Sequence, residues 1–214
     1  TSLGRQSVTG ADGRFSLGAL PLGAYTVEAG DPGNGDRGRA QVVLSENGAT
    51  VDLPVPLNGV GTVTVAVETA LGAPVALADV TVRSASPLGG MYQGRTGAAG
   101  EPVLVAGVLA GTLTVEATSN GLRGATTLVL LDGEAKAATV ALEPAGRVAG
   151  VVTQALGGPA AGVTVRLTQP RYLVATTPAD GSFAFDNAPV GAFTVEAETA
   201  RGDRGRATGQ LSTP

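Results

Sequence analysis

One pattern of residues occurs three times along the 214-residue chain, and it constrains the fold more than any other feature. Each copy joins a glycine-containing turn to a segment in which apolar and polar residues alternate. The copies lie at residues 180–185 with 189–197, at 12–15 with 21–29 and, more weakly, at 100–103 with 111–117. A pattern that returns about every 80 residues predicts a tandem array of one structural unit.

The alternating segments predict β-strands with one buried face. In residues 25–29, apolar side chains alternate with Thr and Glu, which is the two-residue period of a strand. No stretch has a sustained apolar period of about 3.6 residues, so we expect essentially no helix. Short apolar segments with turn residues about every 8–12 positions predict seven strands per complete unit, arranged as antiparallel β-sandwiches. Pro-containing joints of about four residues predict a semi-rigid rod.

Alignment of the copies divides the chain into repeat 1 (residues 1–57), repeat 2 (58–144) and repeat 3 (145–214). Aligning Gly13 with Gly181 places Thr1 opposite Gln169, so we expect repeat 1 to lack its first two strands. Its remaining strands are expected at residues 5–9, 14–17, 24–29, 37–44 and 50–55. Repeat 2 is expected to be complete, and residues 138–142 at its end match residues 49–53. Repeat 3 is expected to lack its last strand.

Three dipeptides indicate hairpin turns, because Asn-Gly and Asp-Gly readily adopt the backbone conformation of two-residue β-hairpins. They are Asn47-Gly48, Asn120-Gly121 and Asp132-Gly133.

The incomplete repeats leave open sheet edges, which invite pairing with another strand. Either the chain is a piece of a longer array, whose further repeats complete the sandwiches, or strands of neighbouring copies complete them. We favour the longer array.

The spacing of residues in repeat 3 carries a resemblance to a known family. The matching positions are Val148-x-Gly150, Gly158-Pro159-x-x-Gly162-Val163-x-Val165, Thr177-x-x-Asp180-Gly181-x-Phe183-x-Phe185 and Pro189-x-Gly191-x-Phe193-x-Val195. They resemble the carboxypeptidase regulatory-like domain, and the resemblance extends over all three repeats, weakest in the second. It implies a transthyretin-like (prealbumin-like) seven-stranded sandwich, related to the Cna B-type repeats of bacterial surface proteins. The predicted fold is therefore all-β: tandem seven-stranded, Ig-like or transthyretin-like antiparallel β-sandwiches arranged as a rod.

The resemblance says less about function. Members of that family occur as accessory domains on peptidases, in front of outer-membrane transporters and as arrays in secreted proteins. The Cna B-type relatives often carry a Lys–Asn isopeptide crosslink, but Lys136 is the only lysine here. Repeats 1 and 3 therefore lack the residue that this crosslink needs, and we expect none in repeat 2.

Composition argues against most kinds of chemistry. The chain has no His and no Cys, which removes the usual general base and the thiolate nucleophile. A net charge of −4 argues against a nucleic-acid surface. No apolar run reaches the length of about 18 residues that a membrane span needs. We expect no enzymatic activity and no cofactor.

The recurring acidic residues Glu28, Glu116 and Glu196 are interpreted as part of an outward, salt-bridged sheet face. A hairpin near Arg201 would place Glu196 opposite Arg206 and Glu198 opposite Arg204.

Two sets of residues are weak candidates for binding. Asp31, Asn34 and Asp36 could offer oxygens to Ca²⁺, but without a bidentate Glu we favour a solvated turn. Met91, Tyr92 and Tyr172 could form a contact surface for a glycan or a protein, with the two tyrosines in comparable strands.

We therefore expect a non-catalytic spacer, stalk or fibre segment of a larger secreted or cell-surface protein. The alternative is an adhesin-like or accessory module that binds glycan or protein through its loops. Either function implies an extracellular or cell-surface location.

Overall fold

The computed structural model describes residues 4–212. Within that range every regular element is a β-strand and no residue is helical, which confirms the all-β prediction. The same range contains no helix long and apolar enough to cross a membrane. The chain divides into two compact units, Thr1–Gly59 and Val60–Pro214.

The described residues of the first unit, 4–59, form one hairpin. Strand β1 (Gly23–Gly30) pairs antiparallel with β2 (Arg37–Leu44), from Gly23 opposite Leu44 to Gly30 opposite Arg37. Exposure alternates along β1 with the period of two that its sequence predicts.

Repeat 2 lies in the second unit and forms two facing sheets. Its strands are β3 (Val60–Glu68), β4 (Asp79–Ser84), β5 (Met91–Arg95), β6 (Val103–Leu109), β7 (Gly111–Ser119), β8 (Leu122–Leu130) and β9 (Ala135–Ala141). One sheet has the order β6-β3-β9 and the other β5-β4-β7-β8. Alternate residues of the central strands point inward and form a core of small and β-branched side chains, among them Val63, Val65, Val67, Val80, Val82, Val115 and Val140.

The three-stranded sheet of repeat 2 is mixed, whereas the sequence predicted antiparallel sheets. Strand β9 runs parallel to β3, from Ala135 beside Thr62 to Ala141 beside Glu68. The reason is that Asp132-Gly133 does not close a hairpin. It turns the chain from β8 in one sheet to β9 in the other, so no hairpin sets the direction of β9.

Asn120-Gly121 does form the expected hairpin turn, between β7 and β8. Both residues have positive φ, 48° and 75°, as a type I′ turn requires.

Repeat 3 forms a smaller pair of sheets. Its strands are β10 (Ala145–Val151), β11 (Thr164–Gln169), β12 (Leu173–Thr176), β13 (Ser182–Pro189), β14 (Gly191–Glu198) and β15 (Arg204–Leu211). One sheet is β10-β13 and the other is β12-β11-β14-β15. Their core contains Val148, Val165, Leu167, Phe185, Ala188 and Val195.

The motif that identified the repeats has a packing role in repeat 3. The Asp180 carboxylate accepts a hydrogen bond of 3.0 Å from the Ser182 amide, which shapes the turn into β13. Phe183 and Phe185 follow, with ring centroids 5.7 Å apart, and Phe185 is buried in the core. In repeat 3 the motif therefore has a structural role in the turn and the core.

Three strands predicted for repeat 1 do not form: residues 5–9, 14–17 and 50–55 are irregular. In the other repeats their counterparts pair with strands near the start of the repeat, as β12 does with β11, β13 with β10, and β9 with β3. Repeat 1 has no described residues that correspond to β10 or β11. Since a strand exists only through its hydrogen-bonded partner, these segments stay unpaired.

The end of repeat 1 also aligns differently from the sequence expectation. The Asn58 amide donates to the Arg37 carbonyl at 2.8 Å, as the Glu143 amide donates to the Arg123 carbonyl at 2.7 Å. Residues 53–57 therefore correspond to residues 138–142, in place of the expected 49–53.

Glycine allows this closing segment to approach the neighbouring strand. A Cβ at Gly38 would collide with the Pro56 carbonyl, and a Cβ at Gly124 would collide with the Ala141 carbonyl. Gly205 is the corresponding residue of β15, and a Cβ there would meet no atom within 4 Å.

This difference gives a matched pair of substitutions. Gly124→Ala is expected to lower the free energy of unfolding by about 1–3 kcal/mol, because the new methyl group displaces a backbone carbonyl. Gly205→Ala should leave the free energy of unfolding nearly unchanged. Urea unfolding of both variants measures the difference. Equal effects of the two changes would contradict the close approach at Gly124.

Candidate functional site

The loop between β1 and β2 holds the candidate calcium ligands, and their oxygens are occupied by the backbone of the loop. Asp31 Oδ1 accepts the Gly33 amide at 2.8 Å, and Asn34 Oδ1 accepts the Asp36 amide at 2.9 Å. These are local turn bonds of the kind that Asp and Asn commonly make.

Asp36 has a further role that the sequence did not indicate. It is only 6% exposed, and Oδ1 accepts the Arg37 amide at 2.7 Å and the Gly59 amide at 3.0 Å. Its Oδ2 lies 3.1 Å from the same Gly59 amide. The carboxylate therefore ties the loop to the last residue of its unit, Thr1–Gly59.

No group of three or more His, Cys, Asp or Glu side chains within residues 4–212 could hold a metal ion together. The equivalent loop of repeat 3 keeps Asp203, whose Oδ2 accepts the Thr199 hydroxyl at 3.1 Å. The geometry favours a structural loop over an ion site.

The side chains of Met91 and Tyr92 point to opposite faces of the sheet. Met91 is 57% exposed, and its sulfur lies 3.1 Å from Arg83 Nη1 on the outer sheet face. Tyr92 packs against the core, and its hydroxyl accepts the Leu109 amide at 3.0 Å.

Tyr172 is 61% exposed and immediately precedes β12. Tyr92 lies opposite Val82, and Leu173 lies opposite Leu167 at the same repeat position. Tyr172 therefore corresponds to Met91, and Leu173 corresponds to Tyr92. Of the three candidates, Met91 and Tyr172 share an exposed position in successive repeats.

The predicted pairing on the outer face of β14 and β15 is confirmed. Glu196 lies opposite Arg206, and Glu198 lies opposite Arg204. The Glu198 carboxylate also contacts Arg166, with nitrogen–oxygen distances of 2.9 Å to Arg166 and 3.0 Å to Arg204.

Hydrogen bonds, first from Arg166 and then from Arg204, lower the pKa of Glu198 below the ordinary value of a glutamate. Similar pairs recur in the other repeats, Glu28 with Arg39 at 2.8 Å and Glu116 with Arg83 at 3.4 Å. These ion pairs hold the carboxylates on the outside of the sheets.

The junction of repeats 2 and 3 contains polar contacts that the sequence did not reveal. Arg171 Nη1 donates to the Asn120 carbonyl at 3.2 Å. Its guanidinium lies against Gly121, where any Cβ would collide with it. Arg171 and Gly121 border an open depression, whose other lining residues are Arg123, Glu143, Pro170 and Pro189.

Neither a protein-family model nor a curated protein matches the chain. Among solved structures, a streptococcal ancillary pilin is similar over 91% of this chain and 73% of its own, at 12% identity and a TM-score of 0.45. The Bacillus anthracis TIE protein is similar over 95% of this chain and 42% of its own, at 18% identity and a TM-score of 0.35. Since both TM-scores lie below 0.5, neither similarity bears on the function of this chain.

Asp36 can be tested against the calcium interpretation. Asp36→Ala should cost about 1–3 kcal/mol of unfolding free energy, because the buried Gly59 amide loses its acceptor. Asp31→Ala, which removes only an exposed turn bond, is the control and should cost much less. Millimolar Ca²⁺ should leave the thermal midpoint of the parent chain unchanged. A midpoint that Ca²⁺ raises in the parent chain but not in Asp36→Ala would overturn the structural role.

Proposed function

We propose that this chain is a non-catalytic spacer, a stalk or fibre segment of a larger secreted or cell-surface protein. Its repeats, residues 1–57, 58–144 and 145–214, would be tandem transthyretin-like sandwiches arranged as a semi-rigid rod. The observation that carries the proposal is the bonded junction between repeats 2 and 3.

The connection at this junction has no slack. Only Leu142, Glu143 and Pro144 separate β9 from β10. The Glu143 amide bonds to Arg123 in repeat 2, and the Pro144 carbonyl accepts the Val190 amide of repeat 3 at 3.1 Å. A linker tied to both repeats transmits orientation from one to the next, as a stalk requires.

Arg171 adds a second tie beside the linker. It extends from the turn between β11 and β12 of repeat 3 to the β7–β8 turn of repeat 2. The positive φ of Gly121 and its missing side chain leave room for the guanidinium. The hairpin turn thus serves both its own repeat and the next one.

The distribution of charge also favours a structural role. The ion pairs involve exposed or half-exposed side chains on the outer faces, such as Asp79 with Arg95 at 2.6 Å. Within residues 4–212, no buried side-chain nitrogen or oxygen lacks a hydrogen-bond partner. These features suit a rigid, solvated module that carries no reactive group.

Removing the Arg171 contact should loosen the junction. Because the chain has no native Cys, spin labels can be placed at Leu104→Cys in repeat 2 and Gln210→Cys in repeat 3. Arg171→Ala should broaden the distance distribution between the labels in double electron–electron resonance. Arg147→Ala, which removes an exposed pair with Asp186, is the control and should leave the distribution narrow. A distribution that is broad already in the labelled parent would contradict the spacer proposal.

The alternative is a binding module, and the shared exposure of Met91 and Tyr172 is what favours it. An exposed aromatic side chain can stack on a sugar ring or anchor a protein contact. If binding is the function, a glycan array should show a ligand whose affinity falls at least tenfold in Tyr172→Ala. Val174→Ala, at another exposed apolar residue nearby, should leave affinity unchanged. If the glycan array shows no ligand, the spacer remains the proposed function.

A further inference from the structure

Four of the five asparagines in the chain precede a glycine, and the four pairs differ in what surrounds their backbone and side-chain amides. In an Asn-Gly pair, the glycine nitrogen can attack the side-chain carbonyl carbon of the asparagine, because glycine has no side chain to hinder the approach. The attack closes a five-membered succinimide ring and releases ammonia. The pairs are Asn34-Gly35, Asn47-Gly48, Asn58-Gly59 and Asn120-Gly121.

Two of these pairs hold the reacting groups in hydrogen bonds. Asn34 Oδ1 accepts the Asp36 amide at 2.9 Å, and Asn58 Nδ2 donates to the Gly59 carbonyl at 3.0 Å. The Gly59 amide, which would be the nucleophile, donates to the Asp36 carboxylate at 3.0 Å and 3.1 Å. A carboxylate that accepts this N–H opposes the loss of its proton. We therefore expect both pairs to react slowly in the folded chain.

The other two pairs are exposed to solvent. Asn47-Gly48 lies in the irregular segment after β2, next to the acidic residue Glu46. Asn120-Gly121 forms the turn between β7 and β8. Hydroxide and water reach both pairs, so a difference in their reactivity depends on the neighbouring groups.

Arg171 contacts the peptide group that would react in the β7–β8 turn. Its Nη1 donates to the Asn120 carbonyl at 3.2 Å, and its guanidinium lies against Gly121. This carbonyl and the Gly121 N–H belong to one peptide group. When the N–H loses its proton, the negative charge spreads onto the carbonyl oxygen, and a guanidinium bonded to that oxygen stabilises it. The structure thus places a cation at the atom where the charge develops.

We propose that the Asn120-Gly121 turn is a site of spontaneous deamidation, and that Arg171 of the following repeat promotes the reaction. The proposal goes beyond the spacer function, since the reaction depends only on the chemistry of the turn and its contact with Arg171.

The reaction needs only hydroxide and water from the solvent. Hydroxide removes the proton of the Gly121 amide, and the nitrogen forms a bond to Asn120 Cγ. The bond from Cγ to Nδ2 breaks, and the side-chain nitrogen takes up a solvent proton and leaves as ammonia. Water then adds to one of the two carbonyl groups of the succinimide and opens the ring. The product is an aspartate or an isoaspartate at position 120, with one more negative charge than the parent chain.

Both products change the junction of repeats 2 and 3. An aspartate places a carboxylate beside the Arg171 guanidinium, where the two charges attract each other. An isoaspartate adds a methylene group to the main chain of a two-residue turn, whose backbone geometry is fixed by the two strands that it joins. The added methylene displaces the carbonyl that Arg171 binds. The isoaspartate should therefore loosen the junction.

Peptide mapping by mass spectrometry measures deamidation at Asn120 and Asn47 in the same sample of the full chain, incubated in mildly alkaline buffer. Arg171→Met removes the guanidinium but keeps a long side chain, and it should slow the reaction at Asn120 about threefold or more. The rate at Asn47 should stay unchanged. Arg147→Ala removes an exposed guanidinium elsewhere in repeat 3 and should alter neither rate. A rate at Asn120 that is unchanged or higher in Arg171→Met would overturn the proposal, as would a parent chain that does not react at Asn120.

Urea separates the effect of the fold from that of the sequence. Arg171 lies 51 positions after Asn120, so the contact exists only in the folded chain. In urea that unfolds both proteins, the parent chain and Arg171→Met should deamidate at Asn120 at the same rate. A difference between them that persists in urea would overturn the role of the contact.

The effect on the junction can be measured with spin labels at Leu104→Cys and Gln210→Cys. An added Asn47→Gln change removes the other exposed Asn-Gly pair, so that the aged chain reacts at the β7–β8 turn. Anion exchange separates the modified chains by their extra charge, and the isoaspartyl fraction should give a broader distance distribution than the unaged chain in double electron–electron resonance. A distribution as narrow as that of the unaged chain would overturn the loosening of the junction.

Discussion

Every strand in this protein depends on a partner for its backbone hydrogen bonds. In repeats 2 and 3, the first strand of the repeat is the partner of one or two later strands. Strand β3 supports β6 and β9, and β10 supports β13. Where such a strand has two neighbours, as in repeat 2, seven strands form; in repeat 1, which has no described counterpart, only the β1–β2 hairpin forms. Side-chain alternation alone does not make a strand. The backbone N–H and C=O groups also need a neighbouring strand to bond, and without one they bond to water.

A core without bulky residues depends on close approach of the backbone. Valine and alanine fill most of the space between the sheets of repeat 2, and aromatics are few in the whole chain. Glycine then permits contacts that a larger residue would block, as at Gly124 beneath the closing segment and at Gly121 beneath Arg171. The glycines that help to mark the repeats in the sequence therefore also allow the closing segment and the junction of repeats 2 and 3 to pack closely.

Charged groups serve the architecture in two ways. On the outer faces they pair across strands, as Glu198 does with Arg166 and Arg204. Asp36 instead lies buried in the β1–β2 loop and accepts hydrogen bonds from the backbone amides of Arg37 and of Gly59, the last residue of its unit. Both arrangements stabilise the strands and the loop, and the proposed spacer rests on the bonded junction of repeats 2 and 3.

The sequence by itself determined the all-β class, the β7–β8 turn and the pairing of Glu196 with Arg206, because each follows from residues close together in the chain. It determined the repeat because the same local pattern returns three times. Sequence could not predict that residues 50–55 stay unpaired, that β9 runs parallel to β3, that Tyr172 corresponds to Met91, or that Arg171 contacts Asn120. These features depend on partners far away in sequence, where small shifts between repeats alter the alignment. Tertiary structure decided them, since a strand, an edge or a contact exists only once the distant partner is in place.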